Sequence, residues 1–203
     1  MAKLYLAALL AVCATPVQAQ EPAAAVPVAP FVDSAEERDA LRKMSVCLAR
    51  ARPRWARQTL AHPYLSKAQA ASAAEIMSGR DACVKGDQAE LALRTSGMVG
   101  SLAEHYLSAR IGSADFGRVA KALNTLAPLN ASEDFALCVA SRNPGAARDL
   151  ALSQPGSAEE TEASRKVAAH VSGCTDRREQ LSVDMQSLRA LVAVALYRGI
   201  TTS

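Results

Sequence analysis

Aromatic side chains are scarce in this chain: they make up 4% of its 203 residues, with one tryptophan, Trp55. Half of the residues are still apolar, and much of that share is alanine. A core of that kind brings helices close together but buries little area per residue, so covalent clips are a natural supplement. An excess of one charge is missing too. The formal net charge of +3 is too weak over this length to make nucleic acid the main partner. Past the first 19 residues no apolar run reaches the roughly 20 residues needed to cross a bilayer.

Catalytic signatures are also absent. No serine is followed three places later by lysine, and there is no Gly-x-Ser-x-Gly elbow. Neither a His-Glu-x-x-His helix nor a phosphate-cradling glycine loop occurs, and no Cys-x-x-Cys pair is present. His62, His105 and His170 are widely spaced, and lone histidines of that sort are ordinarily surface or structural groups. These absences point away from an enzyme and from a metal or cofactor.

What the chain does contain is a stretch that occurs twice. Cys47-Leu48-Ala49-Arg50-Ala51-Arg52-Pro53 is answered by Cys138-Val139-Ala140-Ser141-Arg142-Asn143-Pro144. One constant offset, without a gap, also carries Arg57 onto Arg148, Cys83 onto Cys174 and Tyr106 onto Tyr197. Apolar character follows, with Met44 against Phe135, Val46 against Leu137 and Ile76 against Val167. The reading is a two-fold internal repeat. The rival is a single helical domain whose cysteines are evenly spaced by accident. Four cysteines allow three pairings, and the repeat favours Cys47–Cys83 and Cys138–Cys174.

Residues 1–19 read as a secretory signal: Lys3 gives the positive start, Leu4–Ala14 the apolar run, and Val17-Gln18-Ala19 a small-residue cleavage site. Lipidation at Cys13 competes with cleavage, but Val12 fits a lipoprotein box poorly. Export makes two disulfides the simplest use of the four remaining cysteines. Thiolate metal ligands usually come as close pairs, which this chain lacks. Closing a loop of about 36 residues stabilises by roughly 3.8 kcal/mol in the chain-entropy account. Residues 20–33, with Pro22, Pro27 and Pro30, read as an extended, disordered tether.

The folded part is expected to be all-α, in two tandem repeats of about four helices each, with one disulfide inside each repeat. Repeat 1 covers 34–112; a bridging helix and repeat 2 cover 113–203. Ser34-Ala35-Glu36-Glu37 predicts a capping box, and Leu41, Met44 and Leu48 follow at helical spacing. Pro53 opens a short second helix. Ser66 starts a third, ending near Gly79, and a polar stretch around Gly86 and Asp87 precedes a fourth over about Ser96–Ala109. Gly112 and Gly117 mark the loosest joint, before a bridging helix with Phe116, Val119, Leu123 and Leu126. Glu159, Glu160 and Glu162 read as the solvated start of a helix, suited to its positive end. The last helix, about Ser187–Arg198, is apolar nearly all round and belongs at the centre of the fold. Tyr106 and Tyr197 read as core residues with their hydroxyls at the rim. Whether the repeats share one core stays open.

One cluster calls for a binding hypothesis. Arg50, Arg52, Arg54 and Arg57 surround Trp55 in a run that holds no acidic residue from Arg42 to Arg57. Guanidinium pairs with phosphate or carboxylate, and an indole sits well at an apolar boundary. An anionic envelope component is the partner this pattern fits. The alternative is a solvated helix edge with Trp55 in the core.

The duplicated Cys-x5-Pro units at Cys47/Pro53 and Cys138/Pro144, with the later Cys83 and Cys174 and the closing Tyr106 and Tyr197, resemble small secreted proteins of unknown function from alphaproteobacteria. The resemblance covers the chain from about residue 35 to its end. It implies a periplasmic or secreted setting in a Gram-negative cell and brings no catalytic residues. The expected role is binding or scaffolding in the cell envelope, without catalysis. An enzyme of unrecognised family, or an inhibitor or chaperone of another secreted protein, are the alternatives.

Overall fold

Ser34 sets the first helix in place as a reciprocal cap. Its Oγ accepts from the Glu37 amide at 3.1 Å, and its own amide donates to Glu37 Oε2 at 3.4 Å. This computed structural model describes residues 34–78, 82–84, 95–111, 116–175 and 184–202. The leader and tether at 1–33, Gly79, the stretch around Gly86 and Asp87, and Gly112 lie outside them. Helix α1 (Ala35–Ala51) ends at Arg52, and Pro53 takes the first position of α2 (Pro53–Ala61), where a missing N–H leaves no bond unmade. Ser66 Oγ accepts from the Gln69 amide at 3.1 Å and starts α3 (Lys67–Ser78). Then come α4 (Thr95–Arg110) and α5 (Phe116–Thr125).

Asn130 caps α6 (Ala131–Arg142) through Glu133, and Asn143 caps α7 (Pro144–Leu152) through Ala146. Ser157 caps α8 (Ala158–Ala168), a 3₁₀ turn covers Val171–Gly173, and α9 (Met185–Thr202) closes the chain. The described residues are thus all-α, nine α-helices without a strand. Two disulfides close the halves, Cys47–Cys83 with Cα atoms 5.6 Å apart and Cys138–Cys174 with 5.7 Å.

The last helix is where its sequence put it. Leu188 and Ala190–Leu196 are buried, and α9 packs on α4, α5, α6 and α7. Alanine and glycine let the α4–α9 pair close up. A Cβ on Gly100 would stand 2.5 Å from Ala190 Cβ, and on the side facing α1 one on Gly97 would meet Leu41 Cδ2 at 2.7 Å. Near the far end of both helices the Tyr106 and Tyr197 rings lie 6.0 Å apart, tilted by 46°.

The main core draws on both sides of residue 113, joining Leu60, Val99, Leu102 and Leu107 to Val139, Leu150, Val192 and Leu196. The halves therefore share one core. A smaller cluster of Leu41, Met44, Leu48, Ala73, Ile76, Cys83 and Met98 surrounds the first disulfide. Each fully buried leucine in these clusters is worth roughly 1.5–3 kcal/mol of transfer free energy.

Candidate functional site

The α1–α2 corner carries the arginines. Ala49, Ala56, Thr59 and Leu60 turn inward, which leaves Arg50, Arg52, Arg54 and Arg57 on the exposed side. Among the described residues Arg50, Arg54 and Arg57 enter no ion pair. Trp55 takes the inner of its two expected placements. It is half-buried, packs against both core clusters, and donates from Nε1 to the Ser72 carbonyl at 2.8 Å. A contact of 2.7 Å between Thr59 Oγ1 and Ser72 Oγ adds to it. The tryptophan thus fixes the arginine-bearing helix to α3.

The field of this corner reaches Tyr197. Burial pushes the Tyr197 hydroxyl above its usual value, while Arg110 and Arg57 pull it back down. Burial holds His105 below its ordinary value, and Arg50 adds to that. Tyr106 donates to the Pro53 carbonyl at 3.5 Å, tying α4 to the start of α2. The result is a positively charged face at the corner, backed by a half-buried aromatic pair.

Elsewhere in the molecule is a cluster that the sequence reading missed. Glu160 was expected to be solvated, but it is 2% exposed. Its Oε2 accepts from Arg38 Nη2 at 2.9 Å and from the Gly156 amide at 2.6 Å, and its Oε1 from Arg189 Nη1 at 3.0 Å. Arg189 also grips Glu104 through both carboxylate oxygens, Nε to Oε1 at 2.6 Å and Nη2 to Oε2 at 3.1 Å. Its remaining bonds reach Ser153 Oγ and the Ala151 and Ser153 carbonyls. Burial pushes Glu104 above its ordinary range against the pull of Arg189. Burying charge requires that pairing, since an unpaired ion in the interior is far too costly.

The physical reason for the error is local. Glu159 and Glu162 are exposed, as expected, and Arg165 and then Lys166 hold Glu162 down to about 2. Glu160 faces the other way, into the interior, where Arg38 and Arg189 meet its carboxylate. Glu133 is similar: 2% exposed, it accepts from the Tyr64 amide at 2.9 Å and the Leu129 amide at 3.0 Å, and pairs with Arg198. A signal existed. Glu104 and Arg189 each interrupt an otherwise apolar face, and a lone charge there implies a partner.

His62, His105 and His170 occupy separate segments, and among the described residues no group of His, Cys, Asp or Glu is arranged to hold a metal ion. No described helix is long and apolar enough to cross a membrane. The two disulfides fit an oxidising, extracytoplasmic location. Comparison with protein families, with curated proteins and with solved structures found no match to this chain.

Proposed function

We propose that this chain is an exported, non-catalytic helical protein of a bacterial envelope, built from a duplicated four-helix unit, whose arginine corner rests on an anionic envelope surface. The observation that carries the reading is the exposure of Arg50, Arg52, Arg54 and Arg57 on one corner, with Trp55 turned in to hold it. Four guanidinium groups on a braced helix junction suit phosphate or carboxylate arrays, which they can grip in a bidentate manner.

Matched details on the two sides support the duplication. The offset that aligns the cysteines places α2 on α7 and α3 on α8. It also places Leu65 on Gly156, the described residues with positive φ, at 60° and 79°. Leu65 donates its amide to Gln69 Oε1 at 2.9 Å, and Gly156 donates to Glu160 Oε2 at 2.6 Å. Ser66 and Ser157 then cap Gln69 and Glu160, each at 3.1 Å. Agreement at this level is local backbone geometry, beyond a shared pattern of cysteines.

The halves also exchange contacts. The loop at Tyr64 meets Asn130, whose Nδ2 donates to its carbonyl at 2.6 Å, while Gln154 meets Arg42 and Asp39 on α1. Such reciprocity is what a rigid scaffold requires.

The test is co-sedimentation of the mature chain with anionic and with neutral vesicles, and with cell-wall fragments. Arg52→Ala/Arg54→Ala/Arg57→Ala should lose most of the binding to anionic material, and salt should weaken the wild type. Unchanged binding by the triple variant would end the proposal.

A further inference from the structure

On the side of α1 that carries Arg42, a cleft of about 280 Å³ opens between α1, α4, α7 and α9. Its floor is the Glu104–Arg189 pair, its walls include Val46 and Leu152, and Arg42 and Lys43 stand at its rim. The floor and the rim differ in chemistry. Every donor direction of Arg189 is used by Glu104, Glu160, Ser153 and two carbonyls. Each oxygen of Glu104 takes one bond from Arg189 and keeps an acceptor site. Glu104 is 7% exposed, and it lines the cleft. The floor therefore offers a buried carboxylate that can accept a further hydrogen bond.

The rim has the opposite sign. Arg42 and Lys43 share the single carboxylate of Asp39, at 2.9 and 2.7 Å. One positive charge is left over there, on a lysine side chain that is 75% exposed. A ligand matching both ends needs a cationic donor for the floor, an anion for the rim and a short apolar group for the walls. The volume lies just below the usual range for small-molecule pockets, so the fit is to one small molecule and not to a polymer.

We infer that this cleft binds a free α-amino acid with a short apolar side chain, its ammonium group on Glu104 and its carboxylate at Lys43 and Arg42. The site is separate from the arginine corner and does not depend on that reading.

Titration of the full mature chain by isothermal calorimetry and by NMR of the His105 ring tests it, with L-valine, D-valine, isobutylamine and isobutyrate as probes. One or both valines should saturate in the millimolar range, and which one binds gives the stereochemistry. The amine and the acid alone should bind at least about tenfold more weakly, since each leaves one end unpaired. Lys43→Ala should weaken valine binding several-fold, and Leu152→Trp should abolish it by filling the cleft. Arg54→Ala should leave it unchanged, which separates this site from the corner. The inference is overturned if neither valine saturates by about 10 mM, if isobutylamine or isobutyrate binds as well as valine, or if a folded Lys43→Ala protein binds with full affinity.

Discussion

Arg189 on α9 holds Glu104 on α4 with two parallel hydrogen bonds, at 2.6 and 3.1 Å, at a point where both side chains are almost wholly buried. The same guanidinium reaches Glu160 on α8, which in turn takes Arg38 from α1. Two positive and two negative charges thus close a neutral cluster across the two halves. Such clusters add little net stability compared with an apolar replacement, but they penalise heavily the loss of one member.

The first prediction follows from that asymmetry. Arg189→Met should destabilise the protein by about 3–5 kcal/mol, because Glu104 and one oxygen of Glu160 are left buried without it. Adding Glu104→Met should recover part of the loss, with a coupling of about 0.5–3 kcal/mol between the two sites. Urea denaturation of both single variants and the double measures it. Strictly additive effects would mean that the pair does not act as a unit.

The second concerns how close α4 and α9 come. On Gly100→Ala the new methyl group would sit 2.5 Å from Ala190 Cβ and 2.6 Å from its Cα, both rigid atoms. The helices must separate, at about 1–3 kcal/mol. Gly145→Ala is the control, since its nearest atom is 3.7 Å away and the site is helical. That change should be neutral or stabilising by up to about 1 kcal/mol. Thermal melts of the two variants should move apart.

How far the fold could be read in advance follows from these same residues. Periodicity and caps are local, so Ser34, Pro53, Ser66 and the apolar run of α9 could be read directly. The disulfide pairing was legible because the matched spacing of the cysteines favoured one of three options. Glu160 was not legible as a buried group, because a helix start rich in glutamate looks solvated unless its partners are known. Those partners, Arg38 and Arg189, lie far away in sequence on α1 and α9. Trp55 had two placements open, and the Ser72 carbonyl on α3 together with the two apolar clusters holds it half-buried. The cleft lies further still from sequence reading, since its floor and rim come from four helices.

The third prediction is an alkaline limb of stability. Tyr64 is 1% exposed. Burial, and then the negative charge of Asp184, hold its hydroxyl well above the ordinary phenol value. In the unfolded chain that hydroxyl ionises near its usual value of about 10. Above that point the unfolded state sheds a proton that the folded state keeps. The stabilisation is therefore complete below about pH 10 and is lost as pH rises toward the folded value, at up to about 1.4 kcal/mol per pH unit. Tyr64→Phe should flatten most of this slope, leaving the smaller share from Tyr197, which burial also raises. Denaturation midpoints between about pH 8 and 11 give the slope directly. A variant as steep as the wild type would place the alkaline transition elsewhere.

The last prediction separates the two disulfides. Both close loops with the same sequence separation, 36, so the constraint each places on the unfolded chain is equal. Paired serine variants should each cost roughly 2–4 kcal/mol on that account. Their native surroundings differ. Cys83 is 7% exposed and belongs to the smaller cluster with Leu41, Met44, Ala73, Ile76 and Met98. Cys174 is only partly buried and lies against the edge of the main core. Replacing Cys47 and Cys83 removes a buried member of a small cluster, and the chain just beyond α3 loses its tether to α1. Amide exchange should then accelerate in α3 through local opening, while α9 keeps its protection. Replacing Cys138 and Cys174 should instead loosen the 3₁₀ turn after α8. Hydrogen exchange by mass spectrometry distinguishes the outcomes. Equal acceleration everywhere in both variants would show that the bridges act only on the unfolded chain, and that the smaller cluster opens only when the whole core does.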